Sequence, residues 1–492
     1  MTAEPSSAHP ADDIQALPKT LRWRQGFLLA LPVSTSLFIS VGFMIAAIGA
    51  WPAIMIGGGL AIIAVFQNRL FAEMAAMFPG KSGGVAMYAT EAWKRYALPL
   101  GPVITMGYWF GWAMVLSLTG LTMGSLVQAQ WFPEQTWTLF STGPVDVGLP
   151  QVITIGLLIA ATGLNLIGIH LAVRLHGVIG AVFIVLLAVL TIGPLFDSGW
   201  SLGQLSSHLD GGWKAAVVWI YVSAWTLYGT ELAASFAPEY KDTARDTSKA
   251  LRSIGLFMLF VYAVIPLTTT GQLGEGTIAE NPVTYGVLSV QKVLGSSVSG
   301  VVTAVLCAVL FLGMVSAAAD AGRALYGMAQ EGTTVRGLAR VNRRGMPITA
   351  LVTTMLINVV IVLFVANPVA ILIASNIGYI FAITMAVFGF LLLRKDRPSW
   401  PRPIRLEKPW LIVAAAIGTF NVVILVVGIS NPGLSYAGGA REVIIGFIML
   451  ASGLVLYAYR CIVQDRKKIR WRDDTVEAPP ATSDQLRVEP PV

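Results

Sequence analysis

Inside an otherwise apolar run, Gly229 is followed two residues later by the carboxylate of Glu231, and the same stretch, Trp225 to Ala250 (WTLYGTELAASFAPEYKDTARDTSKA), ends in charged residues. A charge at the centre of a membrane helix costs roughly 3 kcal/mol on insertion scales, so this carboxylate needs compensation. Non-helical backbone at membrane depth is tolerated only where it is buried in protein or lines a cavity. The pattern predicts a discontinuous helix beside a polar, solute-binding cavity. A second anomaly lies near the N-terminus, where Pro32 is followed by Ser34, Thr35 and Ser36 within LALPVSTSLFISVGF. Two readings are open: the hydroxyls bond back to their own helix, or the helix breaks and its free N–H groups hold an anionic group.

Other polar residues in apolar surroundings are fewer. Asp320 stands three residues before Arg323, which fits either an i,i+3 ion pair or a part in proton or cation coupling. Ser375, Asn376 and Tyr379 interrupt one apolar run and Tyr108 and Trp109 another; each suits a pocket or helix–helix contact. Glu73 is read as structural, paired with a basic residue of a loop, and His170 and His176 as interfacial. No GxxxxGK[ST] motif is present, and no metal-ligand or nucleophile–base constellation stands out, so neither ATP hydrolysis in cis nor an enzyme is indicated and no cofactor is expected.

These residues need spans to hold them. Hydrophobic residues make up 55% of the 492 and charged residues 12%, the composition of an all-α polytopic membrane protein. With about 20 apolar residues per crossing, the charge-poor gaps yield twelve spans: 28–50, 53–72, 98–128, 149–169, 175–196, 213–237, 253–273, 297–328, 347–366, 369–393, 409–430 and 442–461. Two long gaps are divided by hinges at Trp51-Pro52 and Asn367-Pro368. On this count 30 of the 33 Lys and Arg lie on one side, only Lys214, Lys292 and Arg441 falling outside. That places both termini in the cytoplasm and makes the net charge of +7 a topology signal, not a sign of nucleic acid. The opening MTAEPSSAHPADDIQ has no basic n-region and reads as a tail, not a signal peptide. Cys307 and Cys461 make no disulfide framework. The segment 281–294 reads as a short helix over the cavity mouth, and spans eleven and twelve are left for packing, lipid or homodimer contact.

Interruptions in the first and sixth spans are the sequence mark of an inverted repeat. The ordered motifs extend that reading. Trp225 to Glu231 with Glu239, Lys241, Asp242, Arg245 and Asp246, then Phe71-Ala-Glu73 through Phe78-Pro79 and Gly83-Gly84, and Arg323 with Tyr326 and Met328 to Gly332 before Pro347, resemble the amino acid-polyamine-organocation transporter superfamily from about Leu28 to the last span. The resemblance implies a five-plus-five inverted repeat with broken helices one and six: tail 1–26, first repeat 27–196, second repeat 197–393, two further helices 394–463 and a disordered tail 464–492. It implies an amino acid or amine as the small-molecule substrate, carried by alternating access as a symporter or antiporter of the cytoplasmic membrane. Ser34-Thr35-Ser36 stands where the family binds the carboxylate with Gly-Ser-Gly, Trp225 where an aromatic residue closes over the substrate, and Tyr228, Gly229 and Thr230 where carbonyls receive its ammonium. Some proton-coupled members carry a Lys in span five; Phe183 stands there, leaving Glu231 or Asp320 for coupling. The spans offer carboxylates and, apart from Arg323, no cation, which favours a neutral or cationic substrate. The alternatives are an exchanger of an amino acid for its amine and, in another class, a transporter-like nutrient receptor.

Overall fold

The computed structural model describes residues 19–473 except 82, 143–144, 365–367 and 436–438. The expected tails at 1–18 and 474–492 and the hinge residue Asn367 lie outside the described residues. Ten described helices are long and apolar enough to cross a membrane, and the chain is an all-α, multi-pass membrane protein.

The first span is α1 (Trp23–Ala30), a 3-10 stretch (Leu31–Ser36) and α2 (Leu37–Ile48). α3 (Ala50–Met77) follows directly. The hinge before it is Gly49, at φ +88°, and not Trp51-Pro52, which sit in the first turn of α3. Only glycine adopts that backbone freely. α4 (Gly84–Trp93), α5 (Leu100–Trp131), α6 (Leu149–Ile167) and α7 (Ile169–Ile192) come next. Between α5 and α6 the loop expected at 129–148 contains an antiparallel hairpin, β1 (Thr138–Thr142) with β2 (Val145–Gly148), the two strands among the described residues.

The interrupted sixth span is α8 (Gly212–Tyr228), a 3-10 turn (Gly229–Glu231) and α9 (Leu232–Ser235). α10 (Thr243–Leu273) begins ten residues before the expected 253, because Asp242 caps it by accepting from Arg245 N at 3.0 Å, and its first turns extend past the apolar run. α11 (Glu275–Glu280) and α12 (Tyr285–Leu294) are short. The Tyr285 ring packs on Phe38 of α2 and its hydroxyl donates to Leu37 O at 3.3 Å. The later spans are α13 (Ser299–Gln330), the 17-residue α14 (Ile348–Phe364), α15 (Pro368–Asp396), α16 (Pro409–Ser430) and α17 (Ala440–Tyr459). α5 and α15 cross at Gly107 and Gly378, where a side-chain carbon on Gly378 would lie 2.7 Å from Gly107 Cα. Backbone cannot yield there, so the contact requires the small residue.

At the basic end of the bundle, α3 and α4 are tied to the loop after α15. Glu73 accepts from Arg394 Nη2 at 2.6 Å, Arg402 Nε at 3.1 Å and Leu406 N at 2.8 Å, as the structural reading of Glu73 expects. Glu91 is paired with Lys81 at 2.6 Å, Lys94 at 2.9 Å and Arg397 at 3.0 Å. The last described residues join this layer: Leu98 N donates to Trp471 O at 2.8 Å and Arg336 and Arg460 both reach Asp465. Residues 464–473 are thus fastened to the body, and a free tail, where the chain has one, begins later than 464.

Burial alone would raise the Glu91 carboxyl, but the ammonium of Lys81, then that of Lys94, outweighs it and holds the group at about 2 instead of 4.5. A depressed folded value means stability present above the unfolded value and lost as pH falls through the folded one. The melting temperature of wild type is therefore expected to exceed that of Glu91→Gln at neutral pH, and the difference to close between pH 4.5 and about 2. A difference constant across that window would show that Glu91 acts by shape and not by charge.

Candidate functional site

The two interrupted helices face each other. In the first, Pro32 lies at the start of the 3-10 stretch, and Ser34, Thr35 and Ser36 turn their hydroxyls back onto the carbonyls of Leu31, Pro32 and Val33 at 2.7, 2.6 and 2.6 Å. Of the two readings of these hydroxyls, back-bonding is the one observed. The helix is tightened here and not unwound. Ser36 Oγ also donates to Thr226 O at 3.1 Å and stands 2.9 Å from Tyr262 OH, linking the first span to the sixth and to α10.

In the sixth span, Gly229 lets the opposite wall approach: a Cβ there would meet Val33 at 3.2 Å and Trp112 at 3.5 Å. Thr230 Oγ1 accepts from Asn68 Nδ2 at 3.0 Å. Glu231, fully buried, accepts from Trp112 Nε1 at 3.0 Å and Tyr379 OH at 2.9 Å on Oε1, and from Tyr108 OH at 2.9 Å on Oε2. Three aromatic donors on two helices thus supply the compensation that a buried carboxylate requires. Their rings form one cluster with Trp225, which meets Trp112 edge-on at 5.6 Å and Tyr379 at 6.3 Å.

Beside this cluster lies a narrow, partly open cavity, about 360 Å³ when the open space at its mouth is counted. Thirteen residues line it and none is charged. Thr35, Ser36, Thr119 and Ser316 bring hydroxyls, while Trp112 and Trp225 bring the largest apolar surfaces. Of the residues singled out in the sequence, Thr35, Ser36 and Trp225 line this cavity, and Gly229 sits behind its wall.

The others are engaged elsewhere. Tyr228 points away, donating to Asn421 of α16 at 3.0 Å. Ser375 donates back to Leu372 O of its own helix, while Asn376 Nδ2 holds α8 through Tyr221 O and Val222 O, both at 2.9 Å, and neither lines the cavity. Tyr108 serves Glu231, and Ser34 serves its own helix. The expected Asp320–Arg323 ion pair is replaced: Arg323 pairs with Glu239 at 3.1 Å and lies over the Phe236 ring at 5.3 Å. Asp320 is buried, and Ser235, Tyr108, Arg323 and Glu231 are its electrostatic neighbours.

Two features escaped the sequence reading. Trp112 is one helical turn after Tyr108, and that i,i+4 pair of aromatic donors is a signal readable on one helix face. His176, expected at an interface, is instead buried, with Nε2 at 2.9 Å from Ser316 Oγ on the cavity wall; no local pattern marks it. The side chain of His170 lies outside the described residues.

The family described as amino acid permease matches residues 21–454. The chain is 25% identical to the amino-acid permease RocE of Bacillus subtilis over 70% of this chain and 73% of the relative. It is 25% identical to the lysine-specific permease of Escherichia coli over 69% and 70%. To the gamma-aminobutyric acid permease of Bacillus subtilis it is 22% identical over 96% and 98%.

Proposed function

This chain belongs to the amino acid permease family, and on that premise we propose that it is a secondary active transporter that carries an amino acid across the cytoplasmic membrane by alternating access. The carrying observation is a cavity placed between the first and sixth spans where both change helical geometry, at Leu31–Ser36 and Gly229–Glu231. Twelve spans follow if α8 with α9 and the 17-residue α14 are counted with the ten longer helices, arranged as repeats 27–196 and 197–393 with α16 and α17 added. Both termini are then cytoplasmic, with the basic end inside.

Thr35, Ser36 and Trp225 hold the substrate in this reading. The hydroxyl and carbonyl oxygens of the first 3-10 segment accept from its ammonium, and Trp225 shields it from the Glu231 cluster. The cytoplasmic side is shut by main-chain pairing of Leu21 with the segment after α9, Leu21 N to Glu239 O at 2.9 Å and Lys241 N to Leu21 O at 2.8 Å, reinforced by Arg323–Glu239. Opening inward breaks these contacts. Asp320, buried beside Glu231, is the group placed to take a coupling proton. α16 and α17 turn Ile412, Phe447 and Val455 outward, to lipid or to a second copy.

Substrate uptake into proteoliposomes by Trp225→Ala is expected to fall at least about tenfold, with the protein still folded and monodisperse. Uptake at the wild-type rate would place the substrate elsewhere.

A further inference from the structure

We propose that the cavity selects amino acids with an uncharged, apolar side chain and rejects those whose side chain ends in an ammonium or guanidinium. This rests on the reading of the cavity as the substrate site. The cavity's polar side chains are few. Thr35 and Ser36 come from the first span, Ser316 from α13 and Thr119 from α5, and the hydroxyl protons of Thr35, Ser36 and Thr119 already go to Pro32 O, Val33 O and Val115 O at 2.6 Å each. What remains are hydroxyl lone pairs and the carbonyl oxygens of the 3-10 stretch, suited to the ammonium group common to every amino acid. The surface left for the side chain is made by Trp112, Val115, Trp225, Ile39 and Leu232.

A side-chain ammonium placed there would have to shed its water without meeting a carboxylate. Glu231 is the nearest, but Trp112, Tyr379 and Tyr108 already occupy both of its oxygens, and it stands behind the Trp112 and Trp225 rings. Asp320, one turn beyond Ser316 on α13, is near Tyr108 and Glu231 and does not line the cavity. An aromatic face returns less than the desolvation of an ammonium removes. The Trp112 and Trp225 rings are moreover set edge-on to one another at 69°, so that one ring's edge covers the other's face. An apolar chain on the same wall gains from burial without that penalty. The specificity device is thus a carboxylate kept behind aromatic donors, and Trp112 is the residue that closes it off.

Norleucine and lysine test this directly, since they share a four-carbon side chain and differ by the terminal ammonium. Binding to the purified full-length protein by calorimetry is expected to be at least about tenfold tighter for norleucine. Lysine binding as tightly or more tightly overturns the inference, as does failure of norleucine to bind. Val115→Glu, with Thr119→Asp as a second variant should the first not fold, places a carboxylate in the wall and is expected to shift the norleucine-to-lysine ratio towards lysine at least about tenfold. If lysine is preferred by wild type and Trp225→Ala weakens it, the cavity remains the site and only the charge argument fails. If Trp225→Ala, Val115→Glu and Thr119→Asp all leave both affinities unchanged, the cavity is not the site and the inference falls with it.

Discussion

Glu231→Ala is expected to lower the melting temperature of the purified protein by many degrees and to abolish uptake, while Glu231→Gln leaves the fold nearly intact. The alanine strands Tyr108 OH, Trp112 Nε1 and Tyr379 OH, three buried donors on α5 and α15 that now point at one carboxylate. Each unsatisfied buried donor costs about 1–3 kcal/mol, so even partial relaxation leaves a loss of about 3 kcal/mol or more. Glutamine keeps an oxygen for Trp112 and Tyr379. On the other side its amide can donate to Tyr108 OH, which then gives its own proton to Ser235 Oγ, 3.2 Å away. The pair of variants separates the network from the charge. Equal destabilisation by both would mean that the negative charge, not the donor geometry, holds the cluster. An alanine variant that melts with wild type would mean that the cluster stabilises nothing.

The second large effect belongs to Glu73. Its carboxylate is buried and holds Arg394 and Arg402, whose side chains are 16% and 4% exposed. Glu73→Ala leaves two largely buried guanidinium groups without their anion, a change of the kind that costs about 3–5 kcal/mol. It also releases Leu406 N, so the loop between α15 and α16 is left holding α3 through the Trp400 Nε1 to Met77 O bond. Glu73→Gln is expected to fall between alanine and wild type, since it preserves an acceptor but not the charge. Because the pair is shielded from solvent, the loss should persist at high salt, where an exposed ion pair would already be screened. Thermal melts at low and high salt check both points, and an alanine variant within a degree of wild type would remove Glu73 from any structural role.

How much of this was legible beforehand varies residue by residue. The span expected at 409–430 is α16 with the same bounds, and most others differ by a few residues at the ends. Glu231 was readable as an anomaly because a carboxylate in an apolar run is conspicuous whatever surrounds it. That three donors converge on it was not, since Tyr379 is 148 residues away. Asp320 and Arg323 illustrate the same limit. Their spacing fits a local ion pair, yet Arg323 takes Glu239, on a segment that only the packing of α13 against the end of the sixth span brings near. Asn376 and Tyr228 had the composition of pocket residues and proved to be contacts between helices, because a side chain's direction depends on which neighbours its helix meets.

The sequence by itself therefore determined the order of the apolar segments, the multi-pass character of the chain and the two places where the spans change character. Those are properties of each segment alone: transfer into a membrane is close to a sum over the residues of one helix. Only the tertiary structure decided which donors satisfy Glu231, which acid Arg323 meets, that His176 stands behind the cavity wall, and that the wall carries no charge. Once in the bilayer, polar side chains find partners across helices far apart in the chain, and that choice is made by packing, which no single segment contains.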